Sequence, residues 1–229
     1  MLLVVTLTAC RSTDATRTAA PSPNTASASE TRPTAPSDST SDLEALYWAR
    51  QDSAQSRFTT ADVRFMTMMI THHAQALVLS ALAPTHGASP QVQTLAARIT
   101  NAQKDEINTM KRWLRTRGQS VPSIDIEGTA LRVNGKSVHG MNMAGILTQG
   151  QIDELDAARG SAFDRLFLSY MIEHHSGAVE MVDTLFSTDG AAQDESTFRL
   201  ASDINADQTT EIARMKRMLR ALPRPEQTP

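Results

Sequence analysis

Two stretches of this chain carry residue types that could do chemistry, and they are near copies. Asp62 to His73 reads D-x-x-F-x-x-x-M-I-x-H-H, and Asp164 to His175 repeats the pattern. Each ends in paired imidazoles, His72-His73 and His174-His175, with Met69 four residues before His73 and Met171 four residues before His175. On a helix, residues four apart are neighbours, with Cβ atoms about 5–6 Å from each other. An imidazole beside a thioether suits copper, because thioether selects the soft monovalent ion and imidazole serves both oxidation states. Each stretch is followed by a second repeated set: Gln103, Glu106 and Met110 after the first, Gln208, Glu211 and Met215 after the second.

These residues fall on faces that are otherwise apolar. At about 100° per helical residue, Phe65, Met66, Met69 and Ile70 share one arc with His73, and His72 lies on its flank. The later stretch behaves alike, with Phe167, Met171, Ala178 and Met181 beside His175, while Glu173, Ser176 and Glu180 point away. Gln103 and Glu106 sit within a stripe of Val92, Leu95, Ile99 and Met110. A buried carboxylate is costly unless it is paired or bound to a cation, so placing one twice suggests a use. The candidate metal ligands are therefore His72, His73, His174, His175, Met69, Met171, Glu106 and Glu211, with Gln103, Gln208, Met110 and Met215 around them. His139, Met141 and Met143 form a possible secondary soft-metal group on a loop.

Other chemistries fit less well. A di-iron or di-manganese centre of the bundle type needs Glu-x-x-His on two helices, but Met69 precedes His72 and Met171 precedes His174 at that spacing. Zinc could draw a His₂Glu₂ set. A purely structural reading closes the histidines with Gln103, Glu106, Gln208 and Glu211 in a buried polar network, which would make the domain a scaffold or interaction bundle. No G-x-S-x-G, nucleophilic cysteine or phosphate-binding glycine loop is present, so ordinary hydrolysis is disfavoured and no catalytic residue is assigned. Asp62 and Asp164 read as charges favoured in a first helical turn, and His86 as an exposed loop residue.

The elements that must position these groups are helical. A short leading helix is expected over residues 42–57, with Ser41 as its cap. Long helices are expected over about 61–82, capped by Thr59 or Thr60, and from Ser89-Pro90 to Gly118. Residues 119–147 read as irregular apart from a tight hairpin at Asn134-Gly135. Thr148 to Gln151 reads as a capping box opening a short helix. Further long helices follow over about 161–186 and 193–221. Two copies of a helical hairpin, repeat one at 58–118 and repeat two at 161–222 about a linker at 119–160, predict an all-α four-helix bundle over 42–222 with a tail at 223–229. Face-to-face packing about a pseudo-two-fold axis would gather the duplicated polar residues in one interior region.

The remainder speaks to location. The formal net charge of −3 and pI near 6.1 exclude a basic surface for nucleic acid. Leu7-Thr8-Ala9-Cys10 resembles a lipobox, so residues 1–10 are read as a lipoprotein signal peptide with Cys10, the single cysteine, as the lipidated residue. Residues 11–41, rich in Ser, Thr, Ala and Pro, read as a disordered tether. The expectation is an extracytoplasmic, cell-envelope lipoprotein that meets a membrane only through its anchor.

At the repeated motifs the chain resembles the bacterial domain-of-unknown-function family 305. The resemblance rests on Met69 to His73 with Gln103 to Met110, and on Met171 to His175 with Gln208 to Met215, and spans about 58–222. It implies a ferritin-like four-helix bundle, export, and an association with copper binding. The chain departs from the family at Met143-Ala144-Gly145-Ile146, where many members carry Met-x-Gly-Met.

Overall fold

The structure is a computed structural model describing residues 39–55, 57–139 and 141–223. The lipobox reading at Cys10, nearly all of the tether and most of the tail lie outside these residues. The chain divides into two units, 1–40 and 41–229, and the bundle lies wholly in the second.

Among the described residues six helices and three short strands succeed one another: α1 (Ser39–Gln55), α2 (Thr60–Leu82), α3 (Pro90–Thr116), β1 (Ile124–Glu127), β2 (Ala130–Val133), β3 (Lys136–Ser137), α4 (Gln149–Ala157), α5 (Gly160–Phe186) and α6 (Glu195–Ala221). Local chemistry sets the boundaries. Thr59 and Asp62 close a capping box at the start of α2, and Thr148 and Gln151 close another at α4. Ser89 caps α3 with Pro90 at its first position, and Asp194 caps α6. Gly118 takes φ 64° just past α3, the left-handed conformation that ends helices. The leading helix begins at Ser39, so Ser41 lies inside it rather than capping it. Residues 119–147 are more ordered than expected: the Asn134-Gly135 hairpin forms with both residues at positive φ, and β1 adds a third antiparallel strand in the order β1-β2-β3.

Helix α2 packs on α3, α5 on α6, and α2 on α5, which makes a four-helix bundle of two hairpins. The core has a layered plan. One apolar cluster joins Phe65, Met69, Met110 and Trp113 with Met181, Leu185 and Ile204. A second joins Leu79, Leu95 and Ile99 with Phe163, Phe167, Met171 and Met215. Each takes the first half of one repeat's leading helix and the second half of the other's, so the paired histidines lie between the two apolar ends. The small sheet covers the outer face of α2, where Leu131, Val133 and Val138 pack with Ala74 and Val78. By length and composition α2 could cross a membrane, but most of it is buried as the central helix of this bundle.

The duplicated aspartates tie the repeats together. Asp62 of α2 accepts from the backbone N–H of Ala192, ahead of α6, at 2.7 Å, and Asp164 of α5 accepts from the N–H of Ser89, ahead of α3, at 3.1 Å. Each repeat thus fastens the other's second helix. His86 is buried, not exposed. Its Nε2 meets the backbone and carboxylate oxygens of Asp156, each at 3.0 Å, and its carbonyl accepts from Gly160 N–H, because the α4–α5 turn docks on the α2–α3 turn.

Asp194 shows where acid attacks this fold. It accepts from Trp113 Nε1, Ser196, Thr197 and Arg117, whose guanidinium also lies over the Trp113 ring. Burial opposes ionisation, but these hydrogen bonds and Arg117 outweigh it and hold the carboxyl below the usual range. A depressed folded-state pKa stabilises at pH above the unfolded value and is lost as pH falls through the folded one. Asp194→Ala strands a buried guanidinium and removes a helix cap, so a loss of about 3 kcal/mol at pH 7 is expected. The deficit should shrink in urea melts carried out at progressively lower pH.

Candidate metal centre

All four paired histidines are fully buried. The His72 and His174 rings meet across the α2–α5 interface, with centroids 3.8 Å apart and their planes tilted by 38°. His73 and His175 flank them, at 6.3 Å from His72 and 6.0 Å from His174. The imidazoles of the two repeats converge in the buried interior, as the duplicated stripes imply.

The hydrogen bonds orient each ring through its Nε2. His73 Nε2 lies 2.6 Å from Glu106 Oε2, and His175 Nε2 lies 2.7 Å from Glu211 Oε2. His72 Nε2 points at the carbonyl of Ala144 at 3.2 Å, and His174 Nε2 at the carbonyl of His72 at 3.0 Å. All four partners are acceptors, so every ring donates from Nε2. Nδ1 of all four rings is buried, and none has a hydrogen-bond partner. Gln103 is equally stranded, with neither amide atom bonded, and Gln208 lacks a partner at Oε1. Buried polar atoms are ordinarily paired, and an unmet one costs about 1–3 kcal/mol. Four unpartnered imidazole nitrogens on two adjacent histidine pairs, with three further amide atoms on Gln103 and Gln208, are a concentration that needs a cause.

Electrostatics agree. Burial, reinforced by the neighbouring His73 and His175, pushes the His72 imidazole well below its ordinary pKa. Burial, with His72, His175 and His73 adding to it, does the same for His174. Both are therefore neutral bases at pH 7, the form in which imidazole ligates a metal. The carboxylates stand further out, with Glu106 side chain 13% and Glu211 18% exposed. On the same flank Asp207 is pushed up by burial and by Glu106, Glu211 and Asp203, so this side of the layer is acidic.

Met69, Met171, Met110 and Met215 are fully buried, Met69 with Met110 in one apolar cluster and Met171 with Met215 in the other. The loop trio does not share one environment. His139 Nδ1 accepts from Gln75 Nε2 at 3.2 Å, Met141 packs against the cluster beneath the sheet, and Met143 faces the α2–α5 groove. Among the described residues no three His, Cys, Asp or Glu side chains stand where one ion could take them together.

Sequence reasoning misses the backbone that closes the layer. Gly145, at φ 71°, and Gly177, within α5, touch: a Cβ on Gly177 would lie 2.2 Å from the Ala144 oxygen, and one on Gly145 would lie 2.7 Å from the His174 oxygen. This contact seats the Ala144 carbonyl on His72. A glycine in mid-helix, costly by propensity, is the one signal of it in the sequence.

Residues 62–219 match the profile of a domain of unknown function, DUF305. The chain belongs to the DUF305 family. A DUF305 fragment from Deinococcus radiodurans is 28% identical, with a TM-score of 0.60 over 72% of this chain and 99% of that one. A putative secreted DUF305 protein from Streptomyces coelicolor is 25% identical, with a TM-score of 0.57 over 70% and 92%. CopM in its Cu(II)-bound form is 28% identical, with a TM-score of 0.56 over 69% and 95%, and CopM has also been solved with Cu(I) and with silver. No curated protein matches the chain.

Proposed function

We propose that this DUF305 domain binds a transition-metal ion, copper foremost, at the imidazole layer, and that it does so as an exported protein held to the cell envelope through Cys10. The observation that carries the reading is the common polarity of the four rings. Metal-binding histidines almost always donate their other ring N–H to a carboxylate or a backbone carbonyl, which fixes the tautomer and raises ligand basicity. Here each Nε2 meets such an acceptor and each Nδ1 is left buried with no hydrogen-bond partner. A closed structural network would instead satisfy those atoms.

In this reading the nitrogen donors come from His72, His73, His174 and His175, whose rings must close toward the ion because no three of them face one point as they stand. Met69 and Met171 offer thioethers one turn from His73 and His175. Glu106 and Glu211 act as acceptors that orient His73 and His175 rather than as ligands. A layer poor in converging hard donors and flanked by thioethers favours the soft monovalent ion over zinc or iron. When bound, the ion would supply a positive charge at the buried rings, and the apolar clusters on either side would exclude water from it. The copper and silver forms of CopM support this choice, and the secreted relative supports export.

The test is anaerobic titration with cuprous ion against a competing chelator. The wild type should compete, and His73→Ala/His175→Ala should weaken binding at least about 100-fold, as loss of ligating nitrogens requires. Equal binding by the two proteins would remove the imidazole layer as the site. Labelling with a radioactive fatty acid, compared between wild type and Cys10→Ala, tests the anchor.

A further inference from the structure

A groove of about 700 Å³ opens between α2, α5 and the Met143–Ala144 segment. Three of its lining residues are methionines, one from each wall: Met68 from α2, Met181 from α5 and Met143 from the loop. Phe65 and Leu185 form apolar floor between them. Met181 is almost buried, while Met68 and Met143 are half-buried, so their thioethers border a space that solvent reaches. Met68 and Met143 pack against the core cluster that holds Met181, and three methionines brought to one open groove from three separate segments also make a donor set that prefers soft cations.

From this placement we propose that Met68, Met143 and Met181 form a separate all-thioether site for a soft monovalent cation of the cuprous class. The site goes beyond the imidazole layer and does not depend on it. The sulfur of Met68 already serves as an acceptor, taking the Nε–H of Arg64 at 3.3 Å. That guanidinium is exposed on a long side chain, and a bound ion displaces it. Glu180, exposed on the opposite wall, supplies countercharge at the groove mouth. The groove also borders the layer: the oxygen of Ala144, which lines it, accepts from His72 Nε2 at 3.2 Å. Met143 is thus the chain neighbour of the residue whose carbonyl holds His72.

The experiment uses the full chain, grown with selenomethionine, loaded anaerobically with Cu(I), and read by X-ray absorption and by stoichiometry against a chelator. Leucine is nearly isosteric with methionine and costs under about 1.5 kcal/mol per site, so Met68→Leu/Met143→Leu/Met181→Leu should stay folded, with melting curves as the check. Met181→Leu alone serves if the triple variant does not fold. The expected result is a copper–selenium scattering shell in the selenomethionine protein, and loss of one equivalent of Cu(I) in the Leu variant. The same equivalent should persist in His73→Ala/His175→Ala, which separates this site from the imidazole layer. Unchanged Cu(I) stoichiometry in the Leu variant, or an undiminished copper–selenium shell when the same substitutions are made in the His73→Ala/His175→Ala background, overturns the proposal.

Discussion

Gly177→Ala should lower stability by about 2–3 kcal/mol, although by helix propensity alone it ought to help. In an exposed helix interior, alanine is better than glycine by roughly 0.5–1 kcal/mol. At Gly177 the added methyl would lie 2.2 Å from the Ala144 oxygen, 2.4 Å from its carbonyl carbon and 2.5 Å from Gly145 Cα. All three atoms are backbone, so no side chain can swing aside, and overpacking of this kind costs about 1–3 kcal/mol or more. For a domain of this size, 1 kcal/mol corresponds to about 2–4 °C in midpoint, so a fall of roughly 5–10 °C is expected. Gly150 is the internal control. It lies within α4 with nothing near its missing Cβ, and Gly150→Ala should be neutral or slightly stabilising. The Gly177 variant should also bind metal more weakly, because lifting the Ala144 segment removes the acceptor that orients the His72 ring. A variant as stable as the wild type would mean that the loop moves off α5 at little cost.

The contrast between what can and cannot be read from the chain comes from how far each interaction reaches. Thr59 as a helix cap, Ser89-Pro90, Thr148-x-x-Gln151 and Asn134-Gly135 act within a few residues, and each does in the structure what its place in the sequence implies. The His-His pairs are legible as interior because the apolar stripe around them repeats, and the duplication itself implies that two hairpins face each other. His86 reads wrongly as exposed because its burial depends on Asp156, 70 residues away, and periodicity within a turn says nothing of such a partner. Strand β1 escapes notice because its sequence, Ile124-Asp125-Ile126-Glu127, is short and mostly exposed, and its order comes from pairing with β2. Gly145 and Gly177 carry no side chain whose pattern could betray the contact they make.

The same limit explains the roles of the carboxylates. Spacing places Glu106 and Glu211 on the faces that carry the apolar stripes, and a carboxylate there is as good a ligand as an acceptor. Only the structure, with His73 Nε2 at 2.6 Å and His175 Nε2 at 2.7 Å, shows that each meets an imidazole end-on. The two arrangements are pseudo-symmetric, one per repeat. The duplication therefore preserved a pair of groups, an imidazole and its acceptor, and not merely a histidine.

That pairing leads to the other large effect. Glu106→Gln and Glu211→Gln should each weaken cuprous ion binding by about 10–100-fold, the usual cost of changing the group behind a ligating histidine. The amide keeps the shape and can still accept from Nε2, but it removes the negative charge that makes Nδ1 a stronger donor. A bonded carboxylate is roughly twice as strong an acceptor as a neutral oxygen. The metal-free fold should change less, since both carboxylates retain some solvent exposure and an amide satisfies the same ring N–H. X-ray absorption distinguishes the two possible roles. If the glutamates only orient the rings, the variants show the wild-type donor set at reduced affinity. If they are ligands, an oxygen scatterer disappears from the shell around the ion. Affinity unchanged in the double variant would separate the His–Glu pairs from metal binding altogether, leaving them as a structural feature of the bundle interior.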